Sequence, residues 1–483
     1  MVMEAGNKTV SYSIDAEIPK EYDEDLMEFI VQKYTVPQRE RFTDITRGTV
    51  EGNASLTFIL LNSKGKQSVL AEIIGTRPIK LNITKLDDAV SGEALNEIKQ
   101  DILILVGFFE EKVRSTTLFL AWREGEEILP EKLSGNEKKP LNRIFLETQI
   151  LLFVIFITAG MALFILIGLI WAPLVLLALQ LVFVFFSNKF IARTADWHIT
   201  EKNPYVHLVE YHLPVQEHED FRRKYSPAEL QSIKKEIYNE TLAAKREIDC
   251  GIVQKVLSAH GFECKPEDMT SRKVNVYDLV KKTANDFGFP TPEIVVANTV
   301  LPNAAASGPS PRRGVVLITS GLLVQLSREE ILSVLGHEFG HLKGRDPLVL
   351  YGLTAGEFLL RFYVFLPLFQ WLFFSALFLV YFWAVMTVIF FIAKFFEARA
   401  DLVSAIVVGQ PKVLAGALEK IGFKRLLYER TTSYRIQEWL SLDPHPPVYF
   451  RVSRLEKLDV PVKAPHPLIE SAQDVIRGFF ASI

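Results

Sequence analysis

The chain has 483 residues, of which 49% are hydrophobic and 23% charged, and its mean hydropathy of +0.18 is high for a protein that lives in water. The 54 basic and 57 acidic side chains leave a formal net charge of −3, so no basic field is available to hold nucleic acid. Two cysteines are too few for a disulfide framework or a thiolate zinc site. The composition indicates a membrane protein. It argues against a nucleic-acid-binding protein and against a protein held together by disulfides or thiolate zinc sites.

Residues 1–147 have a mixed pattern that predicts a small α+β domain. Four runs are strand-like, and apolar residues recur at helical spacing between the third and the fourth run. The four runs are residues 55–61, 68–74, 79–83 and 116–122. The segment has no glycine-rich phosphate loop, no cluster of metal ligands and no histidine, so its function stays open.

The first apolar segment, residues 148–190, carries no charged side chain between Glu147 and Lys189. A membrane-spanning helix needs about 20 residues, so a run of this length predicts a hairpin of two helices. Trp171 and Pro173 lie near its middle. Because proline interrupts a helix and tryptophan favours the lipid–water boundary, these two residues mark the expected turn.

A second apolar segment, residues 347–394, predicts a second hairpin and hence about four membrane spans in all. From Pro347 to Ala393 it carries only two charged residues, Glu357 and Arg361, which are four apart on one helical face and can form an ion pair. The sequence leaves three places open for a kink or the reversal: Pro367, Gln370–Trp371 and Ser375.

Basic residues flank the outer ends of both hairpins, and the tip of the first hairpin carries none. The flanking residues are Lys138, Lys139, Arg143, Lys189 and Arg193 for the first hairpin, and Lys343, Arg345, Lys394 and Arg399 for the second. By the positive-inside rule, every large polar segment is expected on the cytoplasmic side, of the cell membrane if the source is prokaryotic.

Between the hairpins, Ser226 to Glu229 form a capping box with Pro227 at the first helical position. This pattern predicts a long helix that reaches about Ala259, followed by a helix over residues 276–287 that Gly288 closes. Strands are predicted at residues 293–297 and 315–319. Residues 191–346 and 395–483 are therefore assigned to one domain that the second hairpin interrupts.

A second capping box, Ser327 to Glu330, begins a helix that is predicted to end at Gly344. His337 and His341 are four residues apart on this helix, so both project from one face and can bind one zinc ion. Glu338 lies beside the metal without being a ligand, where it can take a proton from zinc-bound water as that water attacks a carbonyl carbon. Two histidines on a merely polar helix face are the alternative reading.

A catalytic zinc ion needs a third protein ligand, for which Glu397 is the best candidate. Asp401 follows at helical spacing and can accept a hydrogen bond from a ligand histidine. Because the helix of His341 leads into the second hairpin and Glu397 follows its exit, the hairpin returns the chain to the same surface. In the alternative reading, both carboxylates merely flank a span.

Near the C-terminal end of the sequence, His445 precedes Arg451 and Arg454. A histidine or arginine from another element can stabilise the oxyanion of a tetrahedral intermediate. Taken alone, His445 reads as an ordinary loop residue and Arg451 as a solvated charge on a helix.

The ordered set of His337-Glu338-x-x-His341, Glu397-x-x-x-Asp401 after a hairpin, and His445-Pro446-Pro447 with Arg451 and Arg454 resembles the HtpX-like integral-membrane zinc metallopeptidases, relatives of the CAAX prenyl proteases. Asn303-Ala304 with Gly308, and Gly321-Leu322-Leu323, also look like that family's pattern. The resemblance covers roughly residues 276–455 and the preceding hairpin.

The resemblance implies a multi-pass α-helical membrane protein with a mainly helical, gluzincin-like peptidase domain that carries a small sheet, beside the N-terminal α+β domain. It implies one zinc ion per chain held by His337, His341 and Glu397, with Glu338 as general base. Asp401 would accept a hydrogen bond from a ligand histidine. His445 or Arg451 would lie near the oxyanion. The segment Asn303, Ala304, Ala305 and Ala306 would bind substrate backbone as an edge strand.

The predicted function is a zinc endopeptidase that cleaves polypeptides, chiefly membrane proteins in quality control, with the lipid bilayer as its other partner. One alternative is a CAAX-type protease of C-terminal lipidated peptides, for which the sequence lacks enough apolar runs to enclose the site. The other is a membrane adaptor with a structural metal. Glu338 argues against the adaptor, because a structural zinc site more often has four protein ligands.

Overall fold

The structure is a computed structural model that describes residues 9–482 except 17, 63–64, 116, 125–148, 213–224, 262–264, 266–268, 374 and 430–431. The predicted boundary at residue 147 and the basic residues Lys138, Lys139 and Arg143 lie outside the described residues. The chain forms two compact units, Met1–Leu118 with Tyr211–Arg223 and Phe119–Glu210 with Lys224–Ile483.

The first unit contains an antiparallel sheet of five strands in the order β1-β5-β4-β3-β2. The strands are β1 (Thr9–Ile14), β2 (Phe42–Val50), β3 (Asn53–Leu61), β4 (Gln67–Ile74) and β5 (Ile79–Lys85). Alternate residues of β3, β4 and β5 share one core with helices α1 (Asp23–Ile30) and α2 (Gly92–Ser115). Short helical turns lie at Lys20–Tyr22, Val31–Thr35 and Val36–Arg41.

The predicted α+β character of the N-terminal segment is confirmed, and its strand runs at 55–61, 68–74 and 79–83 form β3, β4 and β5. The sequence pattern missed β1 and β2, because their residues are mostly exposed and give no apolar alternation. The run at 116–122 forms β6 (Thr117–Arg123), which belongs to a separate three-stranded sheet with β8 (Tyr205–His212) and β9 (Met269–Asn275).

The second unit holds a mixed sheet of four strands in the order β11-β12-β10-β7. The strands are β7 (Trp197–Ile199), β10 (Glu293–Ala297), β11 (Ala304–Ser307) and β12 (Val315–Thr319). β10 and β12 run parallel with Glu293 opposite Val315, and β11 runs antiparallel to β12 with Ala304 opposite Ile318. β11 is therefore an edge strand with one side free of sheet partners in the described chain.

The rest of the second unit is helical. Its helices are α3 (Gln149–Phe185), α4 (Ser187–Thr194), α5 (Pro227–Glu240), α6 (Cys250–Ala259), α7 (Val276–Asp286), α8 (Ser320–Gln325), α9 (Arg328–Gly344), α10 (Asp346–Leu360), α11 (Leu366–Leu368), α12 (Gln370–Phe373), α13 (Leu377–Val407), α14 (Pro411–Tyr428), α15 (Thr432–Leu440), α16 (Val448–Glu456) and α17 (Pro467–Phe480). Single turns lie at Leu242–Ala244, Pro311–Arg313 and Arg361–Phe365.

The single long helix predicted from Ser226 to about Ala259 is wrong. Its capping box forms as predicted, with the Ser226 hydroxyl accepting from the backbone N–H of Glu229. The helix then stops at Thr241, whose backbone is not helical, and Lys245 adopts a left-handed conformation with φ of 56°. The segment therefore becomes two helices, α5 and α6, separated by a turn.

The first apolar segment reverses direction at Gly168, whose φ of 76° and ψ of 172° break α3 into two arms. A Cβ on Gly160 would lie 3.9 Å from Leu176 Cδ1. Residues this far apart on a straight helix are separated by about 24 Å, so the two arms must pack side by side. The turn was predicted at Trp171 and Pro173, but glycine tolerates the positive φ that the reversal requires.

The second arm of α3 packs beside α10 in the opposite direction. The Tyr351 hydroxyl donates to the carbonyl oxygen of Leu177 at 2.7 Å, and the Tyr363 hydroxyl donates to that of Ile170 at 2.5 Å. Phe164, from the first arm, stacks on Phe362 with ring centroids 5.3 Å apart. Both arms therefore contact the second apolar segment.

The second apolar segment turns between Leu368 and Leu377, where Phe369 leaves the helical conformation. Glu357 and Arg361 pair at 3.1 Å as predicted, and the Tyr381 hydroxyl of α13 donates to Glu357 at 3.3 Å. By length and composition, three helices of the described chain can cross a membrane: Thr158–Phe185, Asp346–Leu368 and Leu377–Val407. With α3 doubled back at Gly168, the prediction of four spans stays a prediction.

Candidate metal centre

Helix α9 supplies the paired histidines and is defined at both ends by its own sequence. Ser327 and Glu330 form the predicted capping box, with each side chain accepting from the backbone N–H of the other residue. Four residues apart on one face, His337 and His341 direct their Nε2 atoms at each other, 3.1 Å apart. The helix ends at Gly344 as predicted, and Arg345 caps it with a left-handed φ of 53°.

Three glycines spaced by four residues let α9 approach α13 closely. A Cβ on Gly340 would lie 2.9 Å from the Ala400 backbone, and one on Gly336 would lie 2.6 Å from Ser404 Oγ. On Gly344 it would overlap the guanidinium of Arg399. Side chains at these positions would hold the two helices apart, so the glycines set how near the carboxylates of α13 come to the histidines.

Glu397 lies between the two histidines. Its Oε2 is 3.5 Å from His337 Nε2 and its Oε1 is 3.3 Å from His341 Nε2. The helix that carries it, α13, runs without a break from the second apolar segment to Val407, so the predicted ligand helix is the end of a predicted span. His337, His341 and Glu397 are the one such metal-competent cluster in the described ranges.

A buried carboxylate holds the second nitrogen of each histidine. Asp401 lies 2.8 Å from His337 Nδ1, and Asp346 lies 2.7 Å from His341 Nδ1. Arg451 binds Asp401 through Nε and Nη2 at 2.8 and 2.7 Å, and Arg399 binds Asp346 at 2.6 Å. The sequence pointed to Asp401 but missed Asp346, and it treated Arg399 only as a flanking charge.

The donor set fits a divalent cation. With each Nδ1–H donated to a carboxylate, the two Nε2 atoms face each other 3.1 Å apart, and their lone pairs repel each other unless a proton or a metal ion lies near them. Glu397 Oε2 is buried without a hydrogen-bond partner in the described chain. Two imidazoles and a carboxylate are ligands that zinc accepts.

The electrostatics of the cluster also favour a cation. Burial lowers the pKa of His337, but Asp401 and Glu397 outweigh it and raise this pKa to about 10. In the absence of a metal, the carboxylates therefore retain a proton on the imidazole. A divalent cation would take the place of that proton, because a metal ligand must be the neutral imidazole.

The side chain of Glu338 contacts the edge strand β11. The backbone N–H of Ala306 donates to Glu338 Oε2 at 2.8 Å. Asn303 is held towards β12, since its N–H donates to Thr319 Oγ1 and its carbonyl accepts from the Thr319 N–H. Because backbone groups alternate along a strand, Ala304 and Ala306 direct theirs away from β12, on the side of Glu338.

The structure brings His445 and Arg451 to different sides of Glu397. His445 Nε2 lies 3.6 Å from Glu397 Oε2, and its side chain is 45% exposed. Arg451 is buried, and although burial lowers its pKa, its ion pair with Asp401 raises the pKa above the ordinary value. Arg451 is thus no solvated helix charge, and its guanidinium is committed to Asp401. Arg454 donates to the carbonyl oxygen of Ala398 and to Asp474.

The loop that carries His445 is tied down by residues that sequence reasoning missed. Asp443 accepts from His445 Nδ1 at 2.7 Å and from its backbone N–H at 2.9 Å. Lys394, fully buried, donates to the carbonyl oxygens of Ser441 and Asp443. Lys394 and Arg399 were read as cytoplasmic flanking charges, but both are bound inside the protein.

Comparison with known proteins places this site in a family. The model of "Peptidase family M48" matches residues 270–459, which include every candidate ligand. The protease HtpX homologue of Caldanaerobacter subterraneus subsp. tengcongensis is 30% identical over 217 residues, which cover 38% of this chain and 72% of that protein. The chain belongs to the HtpX-like peptidases of family M48. The predicted resemblance is confirmed.

Other HtpX-like relatives match shorter segments. The protease HtpX homologue of Thermococcus sibiricus is 43% identical over 74 residues, which span 15% of this chain and 25% of that protein. The homologue 2 of Methanosarcina acetivorans is 32% identical over 168 residues, covering 31% and 56% of the two chains. Together with the apolar helices, membership of this family identifies an integral membrane protein.

Among solved structures, the crystal structure of S. mikatae Ste24p aligns with 75% of this chain and 86% of its own, at 13% identity. The TM-score of 0.31 is too low to establish a shared fold. The HtpX-like assignment therefore rests on sequence. Membership of family M48 implies a metal, for which His337, His341 and Glu397 form the candidate cluster.

Proposed function

We propose that this HtpX-like protein is a zinc endopeptidase whose site lies at the membrane surface. His337, His341 and Glu397 would hold the ion, with Asp401 and Asp346 orienting the histidines. The observation that carries the proposal is the convergence of two imidazole Nε2 atoms and a carboxylate whose Oε2 has no hydrogen-bond partner in the described chain. A structural role alone would not require Glu338 beside this cluster.

When bound, the zinc ion supplies Lewis acidity that lowers the pKa of a water molecule and polarises a carbonyl. Glu338 is the general base in this proposal, because it directly follows His337 and precedes His341 by three residues, yet is not one of the three candidate ligands. The Ala306 N–H fixes Glu338 Oε2, which leaves Oε1 to accept a proton and pass it on to the leaving amine.

Substrate backbone would add to the open edge of β11. Ala304 offers an N–H and a carbonyl on that side, and Ala306 offers its carbonyl, while the N–H of Ala306 is bound to Glu338. The backbone N–H and carbonyl of Asn303 are hydrogen-bonded to the Thr319 hydroxyl of β12, so Asn303 anchors β11 and does not face the substrate side. Strand addition would place an extended peptide next to Glu338. Because the pairing uses backbone groups, it would not depend on the side chains of the peptide.

His445 is the better placed of the two oxyanion candidates. Its Nε2 faces Glu397 from the solvent side, and Asp443 at Nδ1 fixes the orientation of the ring. The guanidinium of Arg451 lies behind Glu397, 3.9 Å from Oε2, and serves Asp401. We therefore assign His445 to the developing oxyanion and Arg451 to positioning His337 through Asp401.

The domain and membrane arrangement belongs to the same proposal. Residues 191–346 and 395–483 would form one peptidase domain around hairpin 347–394, with hairpin 148–190 before it and a separate domain at 1–147. Lys189, Arg193, Lys343 and Arg345 support a cytoplasmic site. Labelling a cysteine placed beside Gly168 from outside the cell would support this orientation, and labelling it only from the cytoplasm would contradict it.

Substrate class distinguishes the proposal from its nearest rival, a protease of C-terminal lipidated peptides. We expect the reconstituted full chain to cleave casein and an unfolded membrane protein, to stop when zinc is chelated, and to recover when zinc is returned. Cleavage confined to a prenylated C-terminal peptide would favour the rival. An intact metal without cleavage of any of these substrates would favour a metal-stabilised adaptor.

A further inference from the structure

Helix α17 has an exposed apolar stripe that no part of the described chain covers. Ile469, Ile476 and Phe480 are 57%, 41% and 67% exposed. Their spacing of seven and four residues places all three on one face of the helix. Gln473, also exposed, lies within this stripe, and exposed Arg477 on the neighbouring face gives the stripe a polar border.

The opposite face of α17 is packed against α13 and α16. Ser471 and Val475 are buried, and Val475 belongs to a core with Ala398, Trp439 and Phe450. A Cβ on Gly478 would lie 2.6 Å from the Phe450 ring, so the packing is tight. The exposed stripe is therefore held in a fixed orientation and is not the result of a loosely attached helix.

The contacts also fix the direction of α17 relative to α13. Near its beginning, Ser471 and Asp474 bind Arg454, which donates to the carbonyl oxygen of Ala398. Near its end, Phe479 packs edge-on against Phe391 with ring centroids 5.4 Å apart. Because Phe391 lies about two turns closer to the membrane than Ala398, α17 descends along α13 towards the bilayer.

The surface that α17 approaches is the lipid-exposed part of α13. Val388, one turn from Phe391, is 58% exposed and lies inside the candidate span Leu377–Val407. The exposed ring of Phe480 lies 5.6 Å from the ring of Phe479, which itself contacts Phe391 of α13. Through Phe479 and Phe391, the stripe is thus joined to a candidate membrane span, and an apolar helix face bordered by charge is typical of helices that lie in a lipid interface.

We propose that α17 docks on the bilayer, with Ile469, Ile476 and Phe480 in the lipid interface beside α13. This inference rests on the membrane location of the chain and is independent of the proposed peptidase activity. Since Arg454 joins α17 to the backbone beside Glu397, docking would also brace the helix that carries the candidate ligand.

The test places a nitroxide label at single cysteines in the full chain, in lipid vesicles, after Cys250 and Cys264 are replaced by serine. Ile476→Cys and Phe480→Cys report on the stripe, and Arg477→Cys on the polar border is the matched control. Collision rates are measured with oxygen, which concentrates in lipid, and with a water-soluble nickel chelate.

We expect the stripe labels to collide more with oxygen than with the chelate, and the order to invert at residue 477. Preferential collision with the chelate at both stripe positions would mean that the stripe faces water and would overturn the proposal. Low collision rates with both reagents would mean that protein covers the stripe, which would also overturn it.

Discussion

The backbone N–H of Ala306 donates a 2.8 Å hydrogen bond to the carboxylate of Glu338. This bond joins the candidate general base to the edge strand that is proposed to hold substrate. One carboxylate oxygen is thereby fixed in place, so a peptide that pairs with β11 would meet Glu338 in a defined position. The two functions assigned to these residues are therefore coupled through one backbone group.

Replacing Glu338 with glutamine should leave the metal and the fold intact but lower kcat by about 10²- to 10⁴-fold, since the amide can accept the Ala306 N–H but cannot accept a proton. The measurement is kcat on casein, with zinc content determined on the same sample. Glu329→Gln, an exposed position on the same helix, should retain activity. Full activity of Glu338→Gln would exclude the proposed base.

Asp401→Asn should weaken zinc binding by about 10- to 100-fold, because Asp401 holds His337 Nδ1 and is itself held by two bonds from Arg451. The affinity is measured by competition with a chelator of known zinc affinity. Asp474→Asn, which alters the carboxylate that binds Arg454 instead, is the control and should bind zinc normally. Equal affinity in both variants would show that Asp401 does not orient a ligand.

Gly340→Ala should reduce the free energy of unfolding by about 1–3 kcal/mol, because its Cβ would lie 2.9 Å from the Ala400 backbone and push α9 from α13. Zinc affinity should fall with it. At Gly352 a Cβ meets nothing within 4 Å, so Gly352→Ala should be neutral or stabilising by up to about 1 kcal/mol. Thermal unfolding in detergent checks both, and equal melting temperatures would contradict the packing argument.

His207 should make the protein acid-sensitive. Burial, followed by Lys273, lowers the pKa of His207 from 6.5 to about 4, and its Nε2 has no hydrogen-bond partner in the described chain. The unfolded chain therefore binds the proton more readily, so this stabilisation is complete above pH 6.5 and is lost as pH falls towards 4.

His207→Leu should flatten the decline in melting temperature between pH 6.5 and pH 4 relative to the unmodified protein. His198→Leu, a histidine whose side chain is 51% exposed, serves as the control and should keep the original slope. An unchanged slope in His207→Leu would show that another group causes the loss of stability.

The sequence predicted the local elements of the candidate site better than the packing that surrounds them. Capping boxes, the paired histidines and the strands beside them depend on local patterns, and the structure has them where the sequence indicated. Asp346 and Arg399 were missed because their partners are distant in the chain or lie across a helix boundary. Spacing alone cannot show that a residue beginning a span also holds a histidine.

Backbone conformation explains most of the differences in the fold. The reversal of the first apolar segment lies at Gly168 because that residue takes a φ of 76°, whereas tryptophan and proline had suggested a turn a few residues later. The sequence analysis assigned no role to Gly336 and Gly340, and it assigned Gly344 only to the end of the helix. Their role becomes visible only when the neighbouring helix is in place.

The central claim, a metal ion held by two histidines and one glutamate, is tested most directly by the zinc content of the purified, dialysed chain and of its Glu397→Ala variant. The account predicts a single zinc ion per chain in the unmodified protein and its loss in the variant, with the helical content of both unchanged. Equal zinc in the two proteins, or no zinc after supply of the metal to the unmodified chain, would contradict it.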